Sequence, residues 1–223
     1  MGVLYVVGTP IGNLEDVTLR ALRVLQEVDL VAAEDTRSAR VLLGRHGIST
    51  PVTSFHDFTS AGKGLRLVER IKAGDDIALI SEAGMPAISD PGYALIRQAL
   101  DAGCDVTCVP GPSAVLTALV LSGLPAHAFH YVGFLPRKAG ERLRLLKTLA
   151  EERETVIFFE SPHRLVAALR DAVEAFGGDR PIAVARELTK RYEEVLRTTT
   201  AEALAHFEQI KPRGEFTLVV APS

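Results

Sequence analysis

Short apolar runs rich in Val, Ile, Leu and Ala recur along the chain, and longer amphipathic stretches separate them. Runs of this length bounded by turn residues predict strands near Leu4–Val7, Leu30–Ala33, Ile77–Ile80, Val106–Val109, Tyr131–Phe134, Val156–Phe159, Ile182–Ala185 and Phe216–Val220. A weaker signal predicts another near Val52–Phe55. Strands alternating with helical patterns are the mark of α/β architecture with a largely parallel sheet.

Helix ends are punctuated. SDPGYALIRQALDAG offers Ser89 or Asp90 as N-cap, Pro91 at the first helical position and Gly103 as a left-handed cap at the end. SPHRLVAALRDAVEAFG repeats the plan with Ser161, Pro162 and Gly177, and Leu165, Leu169, Val173 and Phe176 fall on one helical face. GPSAVLTALVLSG is nearly all apolar between Pro112 and Gly123, which predicts a buried helix. The stretch from Leu119 to Ala128 is read as a hinge, giving domains 1–118 and 119–223.

Composition narrows the class without naming a function. At 223 residues, 47% hydrophobic and 24% charged, the chain can bury a core of ordinary size. No apolar run nears the roughly 18 residues that span a bilayer, and MGVLYVVGTP has no basic leader with a cleavage site, so a cytoplasmic protein is expected. A net charge of −3 does not advertise a nucleic-acid binder. Cys104 and Cys108 have a spacing that places both on one face of a strand, and buried thiols are expected rather than a metal or redox pair.

Three loops following strands are unusual. Gly8–Glu15 is long for a strand-to-helix link; Pro10 stiffens it, and Gly8 and Gly12 permit close approach by a ligand. SEAGMPAISDPG follows the strand IALI, and GPSA follows DVTCVP. In a parallel sheet all three gather at the carboxyl edge, where open α/β sheets bind ligands. GTPIGN is not G-x-G-x-x-G, and no G-x-x-x-x-G-K-[ST], H-E-x-x-H, G-x-S-x-G or EF-hand loop occurs. A standard dinucleotide, nucleoside triphosphate, zinc or serine-hydrolase site is therefore disfavoured, and no metal is expected.

The motifs VVGTPIGNLEDVTLRAL, AAEDTRSARVLL, ALISEAGMPAISDPGYALI, VPGPSAVLTALVLSGLP, FHYVGFLPRK, FFESPHRL and ARELTKRYEEV, in this order over nearly the whole chain, resemble the tetrapyrrole (corrin/porphyrin) methylase superfamily. Within it they are similar to the branch that 2′-O-methylates a cytidine ribose in small-subunit (16S) ribosomal RNA. The resemblance implies two α/β domains, a mainly parallel first sheet and a mixed second one, with S-adenosylmethionine in the cleft between them, and a homodimer. It implies that Pro10, Ala83, Gly84, Met85, Ser113 and Ala114 line the cofactor pocket, with Glu160 and Ala185 approaching from the other side. The branch usually reads S-D-A-G-T-P where this chain has Ser81-Glu82-Ala83-Gly84-Met85-Pro86. It also often carries a further short C-terminal helical segment beyond the position of Ser223; where that segment grips RNA, weaker affinity or help from the partner subunit is implied here.

Methyl transfer from a sulfonium needs alignment more than acid catalysis, and the absence of Lys and Arg from SEAGMP suits a positively charged sulfur. The ribose hydroxyl needs a proton acceptor. Candidates are Glu160, Glu187, His56, His163 and a neutral Lys190, with Glu160 and Lys190 foremost; the alternative is that these two pair with Arg164 and Glu187 to hold loops together. In AEDTR, Thr36 is the expected N-cap, and Asp35 and Arg37 either contact substrate or form a buried ion pair. His56 is as consistent with a structural role as with a functional one. Arg137, Lys138, Arg142, Arg144 and Lys147 in LPRKAGERLRLLK face only Glu141, and further basic groups stand in SPHR, with His163 and Arg164, and in ELTKR. Such a run is ordinarily a solvated helix face, but beside the resemblance these groups are expected to meet RNA phosphates. The rival readings are a methyltransferase of a tetrapyrrole or other small molecule, a non-catalytic adenosyl-binding module, and a dinucleotide oxidoreductase.

Overall fold

The computed structural model describes residues 1–56 and 61–223. The chain divides after Ser113 into two compact units. The first runs β1 (Val3–Val7), α1 (Leu19–Glu27), β2 (Leu30–Ala33), α2 (Thr36–Arg45), β3 (Val52–Ser54), α3 (Ala61–Ala73), β4 (Ile77–Ile80), α4 (Tyr93–Asp101) and β5 (Asp105–Val109). Its strands form one parallel sheet in the order β3-β2-β4-β1-β5. β2 and β4 are buried at every position, which is why they read as unbroken apolar runs rather than alternating ones. Val31, Ala33, Ala78 and Ile80 pack under α1 and α2, while Ala32, Ile77 and Leu79 pack under α3 and α4 on the other face.

The second unit begins with α5 (Ala114–Ser122), followed by β6 (Phe129–Phe134), α6 (Ala139–Leu149), β7 (Thr155–Glu160), α7 (Leu165–Phe176), β8 (Pro181–Arg186), β9 (Glu194–Thr199), α8 (Thr200–Gln209) and β10 (Phe216–Val220). The sheet order is β6-β7-β10-β8-β9, parallel between β6 and β7 and antiparallel elsewhere. Residues from α6, α7 and α8 close over Val156, Phe158, Ile182, Val184, Leu218 and Val220 on one face. α5 packs against β10 and β8 on the other.

Five expectations need correction. β9 was not predicted: as an edge strand it faces solvent along one side, so EVLRTT carries no apolar run to mark it. Cys104 is buried but Cys108 is exposed, because β5 is an edge strand of the first sheet. α4 starts at Tyr93 with Gly92 as its N-cap, not at Pro91; Ala87 and Ser89 take positive φ, and the Ala87 N–H donates to the Pro91 carbonyl, so SDPG closes a loop. α7 likewise starts at Leu165, after a turn in which the Arg164 N–H donates to the Ser161 carbonyl. α5 buries Val115, Ala118 and Leu119 but leaves Leu116 and Val120 exposed.

Arg142 leaves the expected basic surface altogether. Only 5% exposed, it donates through Nε to Asp171 at 2.7 Å, joining α6 to α7. Losing one member of a buried pair strands the other charge, so Asp171→Asn should lower the urea-unfolding free energy by about 3 kcal/mol, and pairing Arg142→Met with Asp171→Leu should recover most of it.

Candidate functional site

At the carboxyl edge of the first sheet the chain leaves β1 toward β2 but leaves β4 toward β5, on the far side of β1. Neighbouring strands whose connections diverge leave a crevice between their loops, the position at which such sheets take ligands. The loops there are tied together by backbone. Thr9 N–H donates to the Gly84 carbonyl at 2.9 Å, Gly84 N–H returns to Thr9 at 3.1 Å, and Gly8 N–H donates to Val109 at 3.0 Å. A Cβ on Gly8 would lie 2.7 Å from Gly111 Cα and 2.6 Å from Met85 Sδ, and one on Gly111 would meet the Gly8 carbonyl carbon at 2.8 Å. Gly84, at φ +80, supplies a left-handed turn that a side chain would strain. Gly8, Thr9, Pro10 and Ile11 are buried, whereas Gly12 and Ala83 are exposed and Met85, Ser113 and Ala114 are half-buried. The proximity that Gly8 permits is thus filled by Gly111 and Met85.

The same edge is acidic. Glu34 accepts the Glu82 N–H at 3.2 Å, joining the loops after β2 and β4. Asp35, not Thr36, is the N-cap of α2, accepting the Arg37 N–H at 2.7 Å. The Arg37 side chain, 88% exposed, folds back onto Asp35 at 3.2 Å and holds that carboxyl below its ordinary range. Asp35 and Arg37 do pair, at the surface rather than in the buried pair expected. His56 is exposed just past β3.

In the second unit, antiparallel pairing brings strand ends and strand starts to one edge. Phe216 sits opposite both Glu160 and Arg186, which places the loops after β7 and β8 beside the approach to β10. Glu160 is 1% exposed. Its Oε1 accepts from Arg164 at 2.6 Å and from the Ser161 N–H at 2.7 Å, while its buried Oε2 has no hydrogen-bond partner among the described residues. Arg164 also donates to the Leu135 carbonyl at 3.0 Å, fastening the loop after β6 to the loop after β7. Lys190 bridges Glu187 at 3.0 Å and Glu215 at 2.8 Å. Burial opposes its charge, but the hydrogen bonds to Glu215 and Glu187 outweigh burial and raise its pKa; for Glu187, burial is again overcome, by Lys190 and the Glu215 N–H, and its pKa is lowered. Glu187 and Thr189 hold positive φ of 50° and 64°, so this contact is made by a strained loop. Lys190 is held protonated here, without the neutral form that a base requires.

The tetrapyrrole (corrin/porphyrin) methylase family model matches residues 3–204. The chain belongs to that family. A relative from Thermotoga maritima, ribosomal RNA small subunit methyltransferase I, is 48% identical over 99% of both chains. Its counterpart from Mesorhizobium japonicum is 50% identical over 99% of this chain and 75% of its own length. The crystal structure of uroporphyrin-III C-methyltransferase from Thermus thermophilus with S-adenosylhomocysteine covers 99% of this chain and 97% of its own, at a TM-score of 0.68 and 20% identity, a likeness of fold.

This family member thus gathers Gly8, Pro10, Ala83, Gly84, Met85 and Ser113 at the edge of its first sheet, with Asp35 and Arg37 at the end of β2. Glu160, His163, Arg164, Lys190, Arg137 and Lys138 gather at one edge of its second sheet. Ala185 lies inside β8 and is 1% exposed. Of the basic run, Lys138 pairs with Glu141 and Lys147 with Glu174, so Arg137 and Arg144 are its members without an ion pair among the described residues. Glu34, Glu215 and Asp171 escaped sequence reading, because their partners stand 48, 25 and 29 residues away and only strand order and helix packing bring them together. Among the described residues no group of three or more His, Cys, Asp and Glu could hold a metal, and no helix is long and apolar enough to cross a membrane.

Two outcomes follow from these contacts. Gly8→Ala should cost about 1–3 kcal/mol of unfolding free energy by overpacking, whereas Gly44→Ala in α2, with open space around its Cβ position, should be neutral or stabilising in the same urea titration. The second concerns pH. Lys190, with its pKa raised, adds stability that is full below the ordinary lysine value and lost as pH rises through the folded one. Glu187, with its pKa lowered, adds stability that is full above the ordinary glutamate value and lost as pH falls. Lys190→Met should therefore reduce stability most near neutral pH, with the two proteins converging toward both extremes.

Proposed function

We propose that this chain transfers the methyl group of S-adenosylmethionine to the ribose 2′-hydroxyl of a cytidine in the RNA of the small ribosomal subunit. The observation that carries the reading is the 48% identity, over 99% of both chains, to a ribosomal RNA small subunit methyltransferase I. Two sheet edges of different chemistry support it.

The loops of the first sheet suit the cofactor. Their polar groups are mainly backbone, GTPIGN, SEAGMP and GPSA contain no Lys or Arg, and Glu34 at the end of β2 reaches the Glu82 N–H in SEAGMP. A sulfonium is tolerated by carbonyl dipoles and carboxylates and repelled by cations. Pro10, Ala83, Gly84, Met85 and Ser113 would hold it. The cofactor supplies an activated methyl group on a positive sulfur, and the chain's own task is to align a hydroxyl with it and exclude water.

The second sheet suits the RNA. Arg137, Lys138 and His163 are exposed at its edge and offer phosphate contacts, and the 2′-hydroxyl is the group that separates RNA from DNA. Glu160 is the proton acceptor in this reading: its Oε1 is committed to Arg164 and Ser161, which orient the carboxylate, and its Oε2, buried and without a hydrogen-bond partner among the described residues, is left to accept once the loops admit the hydroxyl. Lys190, charged between two carboxylates, positions the loop after β8. A homodimer acting in the cytoplasm is part of the same reading, and sedimentation of the purified chain tests the dimer.

Purified protein with labelled cofactor should methylate small subunits from a strain lacking the corresponding gene, and mass mapping should place the label on one cytidine ribose; unlabelled RNA would reject the reading. Glu160→Gln, which keeps the hydrogen-bond acceptor but not the base, should lower kcat by about 10²- to 10⁴-fold with cofactor affinity by calorimetry unchanged.

A further inference from the structure

β6 carries an irregularity near its end. Tyr131 pairs with Ile157 of β7, yet Phe134, three residues on, pairs with Phe159, only two on. The extra residue is absorbed at a β-bulge, and Gly133 takes the left-handed conformation there with φ +72. In a regular strand Tyr131 and Phe134 would point to opposite faces. The bulge reverses that parity, and bulges of this kind re-aim side chains beside functional sites.

Its effect is to remove Phe134 from the interior. Val132 packs with the core under α6 and α7, and without the bulge Phe134 would follow it. Instead the Phe134 ring meets Phe159 edge-on at 5.5 Å and 64°, and Phe159 meets Tyr131 at 5.2 Å and 66°. Phe134 is nonetheless 56% exposed. Leu135 returns to the core at once, and its carbonyl is gripped by Arg164. The ring is therefore supported by Phe159 below, held by a fixed backbone behind, and open on its remaining side.

We infer that Phe134 is the stacking surface for an unpaired base of the RNA substrate, with Arg137 contacting the adjoining phosphate. The inference rests on the proposed RNA substrate and names a residue for its recognition. Sequence-tolerant recognition of single-stranded RNA combines an aromatic ring with nearby cations. Arg137 follows Phe134 by three residues, is exposed and has no ion pair among the described residues. The strand end bearing the ring pairs one residue short of Glu160, with the ring on the Phe159 face of the sheet and Glu160 on the face of Phe158. A base removed from its helix must be held while its ribose is modified, and a ring backed by Phe159 and a fixed backbone meets that need at little entropic cost.

The chain contains no tryptophan, so Phe134→Trp places a single reporter at the position. With small subunits lacking the modification as substrate, Phe134→Leu should raise KM by about 10-fold or more, with kcat and cofactor affinity near those of wild type, and Phe134→Tyr should restore KM. RNA extracted from those subunits should quench the Phe134→Trp emission. If wild type methylates the subunits while Phe134→Leu keeps its KM, the stacking role falls and the function stands. A raised KM without quenching assigns the ring to loop packing and also overturns the stacking role, as does dissociation of a dimer on Phe134→Leu substitution, which would make the ring a subunit contact. If wild type leaves the subunits unmethylated, the function falls and takes the stacking role with it.

Discussion

Backbone contact between Gly8 and Gly111 is the constraint on which the first unit's functional edge depends. Two loops from neighbouring parallel strands approach so closely that neither tolerates a methyl group, and Met85 from a third loop closes over the same point. The Thr9–Gly84 bridge then extends sheet-like pairing beyond the strand ends. Loops joined by main-chain hydrogen bonds have little freedom left to lose, so a ligand bound against them meets a surface whose ordering was completed on folding. The proline of GTPIGN is buried within this arrangement, which explains a loop that resembles no phosphate cradle: Pro10 has no N–H to offer, and those of Gly8 and Thr9 are committed to Val109 and Gly84.

The second unit reaches comparable order by side-chain chemistry. Glu160, Arg164 and the Leu135 carbonyl link two loops, and Glu187, Lys190 and Glu215 link two more. These clamps hold opposite charges in contact, so the edge carries far less free positive charge than its Lys and Arg content suggests. An acidic net charge thus goes with an edge whose cations are largely paired, Arg137 being exposed and outside any ion pair among the described residues.

Much of the fold was legible because buried parallel strands must be apolar throughout, and LVAA and IALI could be little else. β9 was not, since an edge strand is defined by its neighbour rather than by its own composition. Helix ends marked by glycine were legible at Gly103 and Gly177, where a left-handed residue is needed, whereas the Ser-Pro and Asp-Pro starts misled because the same residues also close turns. The site divided in the same way. Its loops could be located from strand ends alone, but the commitment of Lys190 to Glu215, or of Arg142 to Asp171, depends on partners that spacing cannot reveal.

The bulge at Gly133 bears on how such a protein diversifies. It separates β6 into an inner part, answerable to the core through Val132, and a terminal part that is not. A substitution at Val132 is felt by the helices packed above it, whereas one at Phe134, two residues on, is felt chiefly by Phe159 and by whatever meets the surface. The boundary between what must be kept and what is free to change thus lies inside one strand.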